Sequence, residues 1–338
     1  MTPPIYESFE EKSNFFRENY VINSEEELNS FISKYSSQEN DFLYRGINTA
    51  TYKLYSSSQV QWMLSDAICK RTNKEAYFNF IIDSIKLTRE NDCVKQYIKD
   101  NGISDNDLFI LALMQHYGMP SPVLDFSHSI FGALYFAWDK CDRTLSDTQT
   151  QLSDYISLYV INKKIDWVNC SVQNVMRNSA EQLNDMLQKD KLFTAGMVDT
   201  KDVEKEFLKL PYLKFKDWNF VAVEDNPKSP VKISIPVLQF DCEYQIINDR
   251  IISQQGMFIA NNTLDKPLVE LMNDWCKDKY FVCYNIHKKL LTYIKQHYLD
   301  TNNINEESIY CKEDDESNKL EKAISELNNI VKEKLYKL

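Results

Sequence analysis

Glycine is the residue that most restricts what this chain can fold into: there are six in 338 positions. Backbone that turns left-handed or admits a close neighbour relies on glycine, so each one present marks a special local need. The scarcity also removes whole classes of site. A Walker phosphate loop or the Gly-x-Gly-x-x-Gly turn of a dinucleotide-binding βαβ unit requires clustered glycines, and none are clustered here. Three of the six stand beside polar and aromatic residues. Gly46 follows Phe42-Leu43-Tyr44-Arg45, Gly118 follows Gln115-His116-Tyr117, and Gly256 follows Gln254-Gln255. An arginine on a short apolar strand, followed at once by glycine, has two readings: an internal ion pair beside a turn, or a fork of donors beside backbone that a ligand can approach.

The chain is long enough for one large domain or two ordinary ones. Apolar residues make up 43% and aromatics 13%, which predicts a packed globule rather than a disordered chain. The formal net charge of -11 argues against nonspecific binding of DNA or RNA, which needs clustered Lys and Arg to neutralise phosphates. It leaves room for a small anionic nucleotide, because one arginine and a few backbone N–H groups suffice for that. The first residues, Met1 to Glu7, lack the basic and apolar regions of a signal peptide, and no apolar run reaches the ~18 residues of a membrane helix. The expectation is a cytoplasmic protein with no membrane partner. Its eight cysteines form no CxxC pair and read as reduced thiols, mostly core fillers. Heavy use of Asn, Lys, Ile and Tyr is the composition of an AT-rich bacterial genome.

The pattern of elements predicts an α+β fold with a mixed or antiparallel sheet, because strands and helices mingle without regular βαβ alternation. Residues 1–24 read as a polar lead-in. Ser24 and Glu27 form a capping box for a helix with Leu28, Phe31, Ile32 and Tyr35 on one face. Phe42–Arg45 reads as a strand, 59–98 as helix, and 105–117 as an apolar helix that Gly118 and Pro120 end. Val123–Phe126 is extended, Ile130–Trp138 is a buried helix, and Tyr155–Ile161 alternates as a strand. Residues 163–215 read as a helical insertion. Residues 220–223, 231–235, 238–240, 257–260 and 279–286 are further strand candidates, and helices over 288–300 and 318–336 finish the chain. The stripe Leu320, Ile324, Leu327, Val331, Leu335 is too short for a free coiled coil and predicts docking on the domain. The resulting organisation is a lead-in over 1–24, a domain over 25–312 and a docked helix over 313–338.

The densest polar stretch is Gln115 to Ser129. It holds two of the four histidines, one aspartate and three serines between apolar segments. Such a run either satisfies itself internally or faces a cleft. A helix cap, a turn and an N-cap account for its Gly, Pro and Ser, but less well for Gln115, His116 and Asp125. His116, Asp125 and His128 are metal-ligating types, yet spacings of nine and three match no common ligand pattern. Ser121, His116 and Asp125 could be drawn as a triad, but no Gly-x-Ser-x-Gly elbow exposes the serine. In the third cluster, Gln254 and Gln255 either close a loop-to-strand junction or present amides to a ligand.

Together these clusters resemble the FRG domain family. Its Phe-Arg-Gly motif is matched by Tyr44-Arg45-Gly46. Its second hallmark is matched by Gln115-His116-Tyr117-Gly118, Leu124-Asp125-Phe126-Ser127 and Ala133-Leu134-Tyr135-Phe136-Ala137. Its third is matched loosely by Gln254 to Phe258, and its closing helix and tail by Ile286–Leu299 and Asn303–Tyr310. The resemblance spans about residues 26–325. One departure is Ser121-Pro122-Val123 where members carry Thr-Arg before Leu-Leu-Asp. A weaker similarity, to arginine-type mono-ADP-ribosyltransferases, implies an ADP-ribosyltransferase-like core acting on NAD. It implies a phosphate clamp at Arg45, a nicotinamide amide contact at Gly46 and an ordering hydroxyl at Ser127. Such a protein would be an ADP-ribosyltransferase or NAD glycohydrolase, a bacterial toxin or a phage-defence effector. The catalytic candidates are Arg45, His116, Asp125 and Gln255; Tyr44, Gly46, Gln115, Ser127 and Gln254 are expected to contact ligand. Where those enzymes carry a catalytic glutamate, Gln254 and Gln255 stand here. Either Glu243 or Asp249 reaches in, or the chemistry differs, or the site binds a ligand or protein partner without turnover.

Overall fold

The computed structural model describes residues 3–36, 41–69, 74–103, 107–146, 151–162, 219–222, 231–234, 237–241, 254, 256–261, 263–276, 279–310 and 315–337. The 163–215 stretch, Gln255, Glu243 and Asp249 lie outside these residues. In chain order come α1 (Phe9–Ser13), β1 (Glu18–Ile22), α2 (Glu25–Ser36), β2 (Phe42–Ile47), α3 (Ser57–Cys69), α4 (Lys74–Glu90), α5 (Asp92–Asp100) and α6 (Asp107–His116). There follow β3 (Val123–Ser127), α7 (Ile130–Trp138), β4 (Tyr155–Asn162), β5 (Asn219–Ala222), β6 (Val231–Ser234), β7 (Val237–Asp241), β8 (Gly256–Asn261) and β9 (Val282–His287). Helices Leu268–Cys276 and Asp315–Lys337 flank β9 in the sequence.

The fold is α+β. Seven strands form one sheet in the order β1-β9-β4-β2-β3-β8-β7, and β5 and β6 pair separately. Among the described residues only β1 and β9 run parallel; β2–β4, β4–β9, β3–β8 and β7–β8 are antiparallel. The first 24 residues differ from a lead-in. They supply α1 and an edge strand whose exposed Tyr20 and Val21 hide the alternation expected of a strand. Over 288–300 the chain turns as a 3₁₀ segment, a short α-helix and a π-helical turn in place of one helix.

Three cores surround the sheet. One covers the face of β2, β4 and β9 with α2 and α7, joining Phe31, Tyr44, Leu134, Leu158 and Ile286. A second lies on the opposite face, with Leu43, Phe126, Tyr159, Ile259 and Met272. The third is helical: α3 to α6 and the C-terminal helix bury Trp62, Ile81, Leu111, Leu320, Ile324, Leu327 and Val331 beside the β3–β8 end. Helix α6 is apolar on all sides, with six consecutive buried residues from Phe109 to Met114, as befits an interior helix.

Local chemistry sets the element ends that matter for the site. Ser24 and Glu27 close their capping box on α2, with Glu27 N donating to Ser24 Oγ at 3.3 Å and Ser24 N to Glu27 Oε2 at 3.0 Å. Helix α6 ends in a Schellman turn: Gly118 N donates to Gln115 O and Met119 N to Met114 O, with Gly118 at φ +74. Ser129 caps α7 by accepting from Gly132 N at 3.2 Å.

Candidate functional site

Arg45 and Gly46 sit where β2 leaves its neighbour. The pairing of β2 with β3 consists of one residue pair, Tyr44 opposite Ser127, while β2 runs its whole length along β4. Arg45 lies at this parting. Its Nη1 donates to the carbonyl oxygen of Asp125, and stands 3.8 Å from the Asp125 carboxylate. The guanidinium also lies over the Phe126 ring, 5.9 Å from its centre. Among the described residues, buried Nε has no hydrogen-bond partner.

The parting opens into a cleft of about 360 Å³. Eight of the nine expected site residues border it: Arg45, Gly46 and Tyr44 from β2, Gln115 and His116 from the end of α6, Asp125 and Ser127 from β3, and Gln254 ahead of β8. Gln255 lies outside the described residues. The three glycine-marked stretches therefore meet, with the arginine at the wall.

The members play different parts. Gln115 Nε2 donates to Asp125 Oδ2 at 2.7 Å. The Asp125 side chain keeps 41% of its surface open and Arg45 19%. Crowding by the cleft walls raises the Asp125 carboxyl above the ordinary carboxylate value, while the Arg45 charge and the Gln115 amide pull it back. Burial lowers the arginine and the Asp125 charge opposes this; a guanidinium stays charged regardless. The Ser127 hydroxyl is a positioning group. It donates to Gln254 O at 2.7 Å and accepts from Ser129 N at 2.9 Å, clamping the approach to β8 onto the start of α7. The Gln254 amide donates to Ile309 O. Tyr44 borders the cleft through a residue whose ring is buried beside Tyr35.

Gly46 has a packing reason to be glycine. A Cβ there would lie 1.8 Å from the Ala133 carbonyl oxygen and 2.8 Å from Ala137 N, so its absence lets α7 rest on β2. Ser121 does not join His116 and Asp125: it is fully buried and donates to Leu111 O. Among the described residues no three His, Cys, Asp or Glu gather as a metal site.

The cleft also takes Ile47, Asn48, Tyr52, Phe126, Phe136 and Tyr310 as lining. Phe126, Phe136 and Tyr310 fall inside stretches that carried the family resemblance, though with no role of their own. Asn48 and Tyr52 had no signal; they line the cleft from the stretch that follows β2.

An α+β chain with an arginine cleft at a sheet parting, closed by a polar turn between two buried helices, is the class this geometry defines. Residues 40–145 match the family model of the FRG domain, and the chain carries an FRG domain over that stretch, from the start of β2 to beyond α7. Gln254 and Tyr310 complete the cleft from outside the matched residues. No curated protein and no solved structure matches the chain. Among the described residues no helix is long and apolar enough to cross a membrane.

Proposed function

We propose that the cleft binds a phosphate-bearing nucleotide, with NAD as the first candidate, and that Arg45 meets its phosphate. One observation carries this reading: Arg45 Nε is buried at the wall of an open cleft without a hydrogen-bond partner. A buried donor left unsatisfied costs about 1–3 kcal/mol, and a phosphate oxygen arriving at the fork recovers that cost while pairing a planar cation with an anion. The cleft's volume lies within the ~300–1,000 Å³ range of small-molecule sites.

Asp125 is the one carboxylate among the described lining residues, and the reading gives it the chemistry. In NAD hydrolysis the bond between ribose C1′ and the nicotinamide nitrogen breaks, and its electron pair leaves with nicotinamide. Asp125 then faces the positive charge that develops on the sugar. Water adds at C1′, giving ADP-ribose and a proton. Gln115 holds the carboxylate for this task, and Ser127 fixes the neighbouring chain.

A second reading, a site that binds without turnover, is favoured by the same carboxylate being engaged by Arg45 and Gln115. Calorimetry with NAD and chromatography of released nicotinamide separate the two. Arg45→Ala is expected to weaken NAD binding at least tenfold. Asp125→Asn is expected to keep binding and lose nicotinamide release under the enzymatic reading. Wild-type binding with no release in any variant selects the binding reading. Absence of NAD affinity in folded wild-type protein overturns both for this ligand.

A further inference from the structure

Beside the arginine cleft lies a second hollow of about 490 Å³, and the two share Asn48 and Tyr52 as lining. Its distinguishing group is Lys288, at the end of β9, whose residue surface is only 7% exposed. A lysine covered along its stem keeps its charged end where water or an anion can reach it. Among the described residues the Lys288 backbone carbonyl accepts from Leu291 N, while its ammonium makes no hydrogen bond and no ion pair; the residue lines this hollow.

The nearby carboxylates are already committed. Asp142 accepts from the backbone N and hydroxyl of Thr144 at 3.0 and 2.8 Å. Those two bonds hold its carboxyl low, with a further contribution from the Lys288 charge. Asp154 accepts from Ser146 N at 2.8 Å, from the Ser146 hydroxyl and from Gln151 N. Both acids thus shape the loop that walls the hollow, and neither reaches Lys288 as a partner. Lys140, at φ 52, brings a second cation to the lining, and Thr49, Thr51 and Ser153 bring hydroxyls. Two lysines and several hydroxyls line the hollow together with Asp142 and Asp154, and the hydrogen bonds that both acids accept from the loop leave the two ammonium groups as the donors open to an anion.

We infer that this second hollow is a phosphate subsite, in which Lys288 and Lys140 hold a phosphate group separate from any that Arg45 holds. Because Asn48 and Tyr52 border both hollows, one ligand can occupy the two together. Its class is then a nucleotide with a phosphomonoester remote from the phosphate at Arg45, and only this spanning step rests on the proposed nucleotide reading. A free phosphate ion is the other source of the same chemistry.

The test is calorimetric titration of the full chain with inorganic phosphate, using wild type, Arg45→Met, Lys288→Met and the double variant. Lys288→Met keeps the buried stem and removes the charge, and thermal melting shows that each variant is folded. Lys140→Asn, a residue tolerant of positive φ, provides an independent variant should Lys288→Met fail to fold. Phosphate is expected to bind Arg45→Met, with affinity falling at least tenfold in the double variant and severalfold in Lys140→Asn. Equal phosphate binding with and without Lys288, or no phosphate binding to wild type, overturns the subsite. NADP and NAD distinguish the sources. A tighter grip on NADP that disappears in Lys288→Met assigns the phosphate to a spanning ligand. Equal affinities, with Lys288-dependent phosphate binding retained, assign it to a free ion. If NAD does not bind while Lys288-dependent phosphate binding persists, the nucleotide reading fails and the subsite stands.

Discussion

At Arg45, Gly46 and Asp125 three neighbouring requirements are met by three different physical effects. Gly46 answers to α7, whose Ala133 carbonyl would lie 1.8 Å from any Cβ. Backbone cannot give way as a flexible side chain would, so Gly46→Ala is expected to cost about 3 kcal/mol or more, read as the shift of a urea unfolding midpoint. Asp125 answers to the cleft. Its carboxyl is raised by burial, so the folded protein takes up this proton at a higher pH than the unfolded chain. Its contribution to stability is therefore full below the ordinary carboxylate value and is lost as pH rises through the folded value. The same proton removes a negative charge 3.8 Å from Arg45 Nη1. A diester phosphate keeps its own charge throughout, so NAD affinity is expected to rise as the solution is taken from about pH 8 to about pH 5. The rise should be absent in Asp125→Asn, and a flat profile in wild type would remove Asp125 from the electrostatics of the site.

The elements around the cleft show what could be read ahead of the structure. Helix α6 ends where Gly118 and Pro120 stand, because only a left-handed residue closes the Schellman turn that carries Gln115 and His116 to the lining. Nothing lies within 4 Å of a Cβ built on Gly118, so Gly118→Ala pays only for its backbone angle. The expected loss is about 1–2 kcal/mol in urea unfolding, partly recovered by Gly118→Asn. The contrast with Gly46 separates a glycine required by conformation from one required by space; the two look alike in the sequence. Helix α7 and strands β2 and β3 were legible from apolar runs and caps, and so were Arg45, Gln115 and Asp125 as polar groups wedged among buried ones. Strand β1 was not, since an edge strand with burial on one residue of five leaves no period-two pattern. Lys288 was not either. It follows a strand and precedes Lys289 in what reads as a solvated helix start, and its burial beside the 140–146 stretch is a product of tertiary packing.

Across the whole molecule, one buried lysine joins the N-terminal segment to the sheet and to the cleft. Lys12, on α1, has no exposed surface. Its ammonium donates to Ala50 O, Ser157 Oγ and Asn285 Oδ1, each at 2.8 Å, so all three of its protons are used. The rings of Tyr6, Phe16 and Tyr159 surround it at 5.4, 6.0 and 5.3 Å. Ala50 lies between Asn48 and Tyr52, the residues common to both hollows. The same loop is held by Tyr6 N donating to Thr51 O and by a bridge between Ile5 and Tyr52. The chain that lines both hollows is thus anchored through residues outside the FRG match at 40–145. Lys12→Met roughly preserves the length of the side chain, but removes the charge facing the three rings and leaves the Ala50 carbonyl without its ammonium partner. The expected cost is about 2 kcal/mol, together with weaker binding at both hollows. Hydrogen exchange locates the effect. Faster exchange confined to residues 48–52 and the N-terminal segment, with the helical core of α3 to α6 still protected, is the result that a local anchor requires. Uniform acceleration through that core would instead make Lys12 a support of the whole fold, and would break the proposed link between the N-terminal segment and the mouth of the cleft.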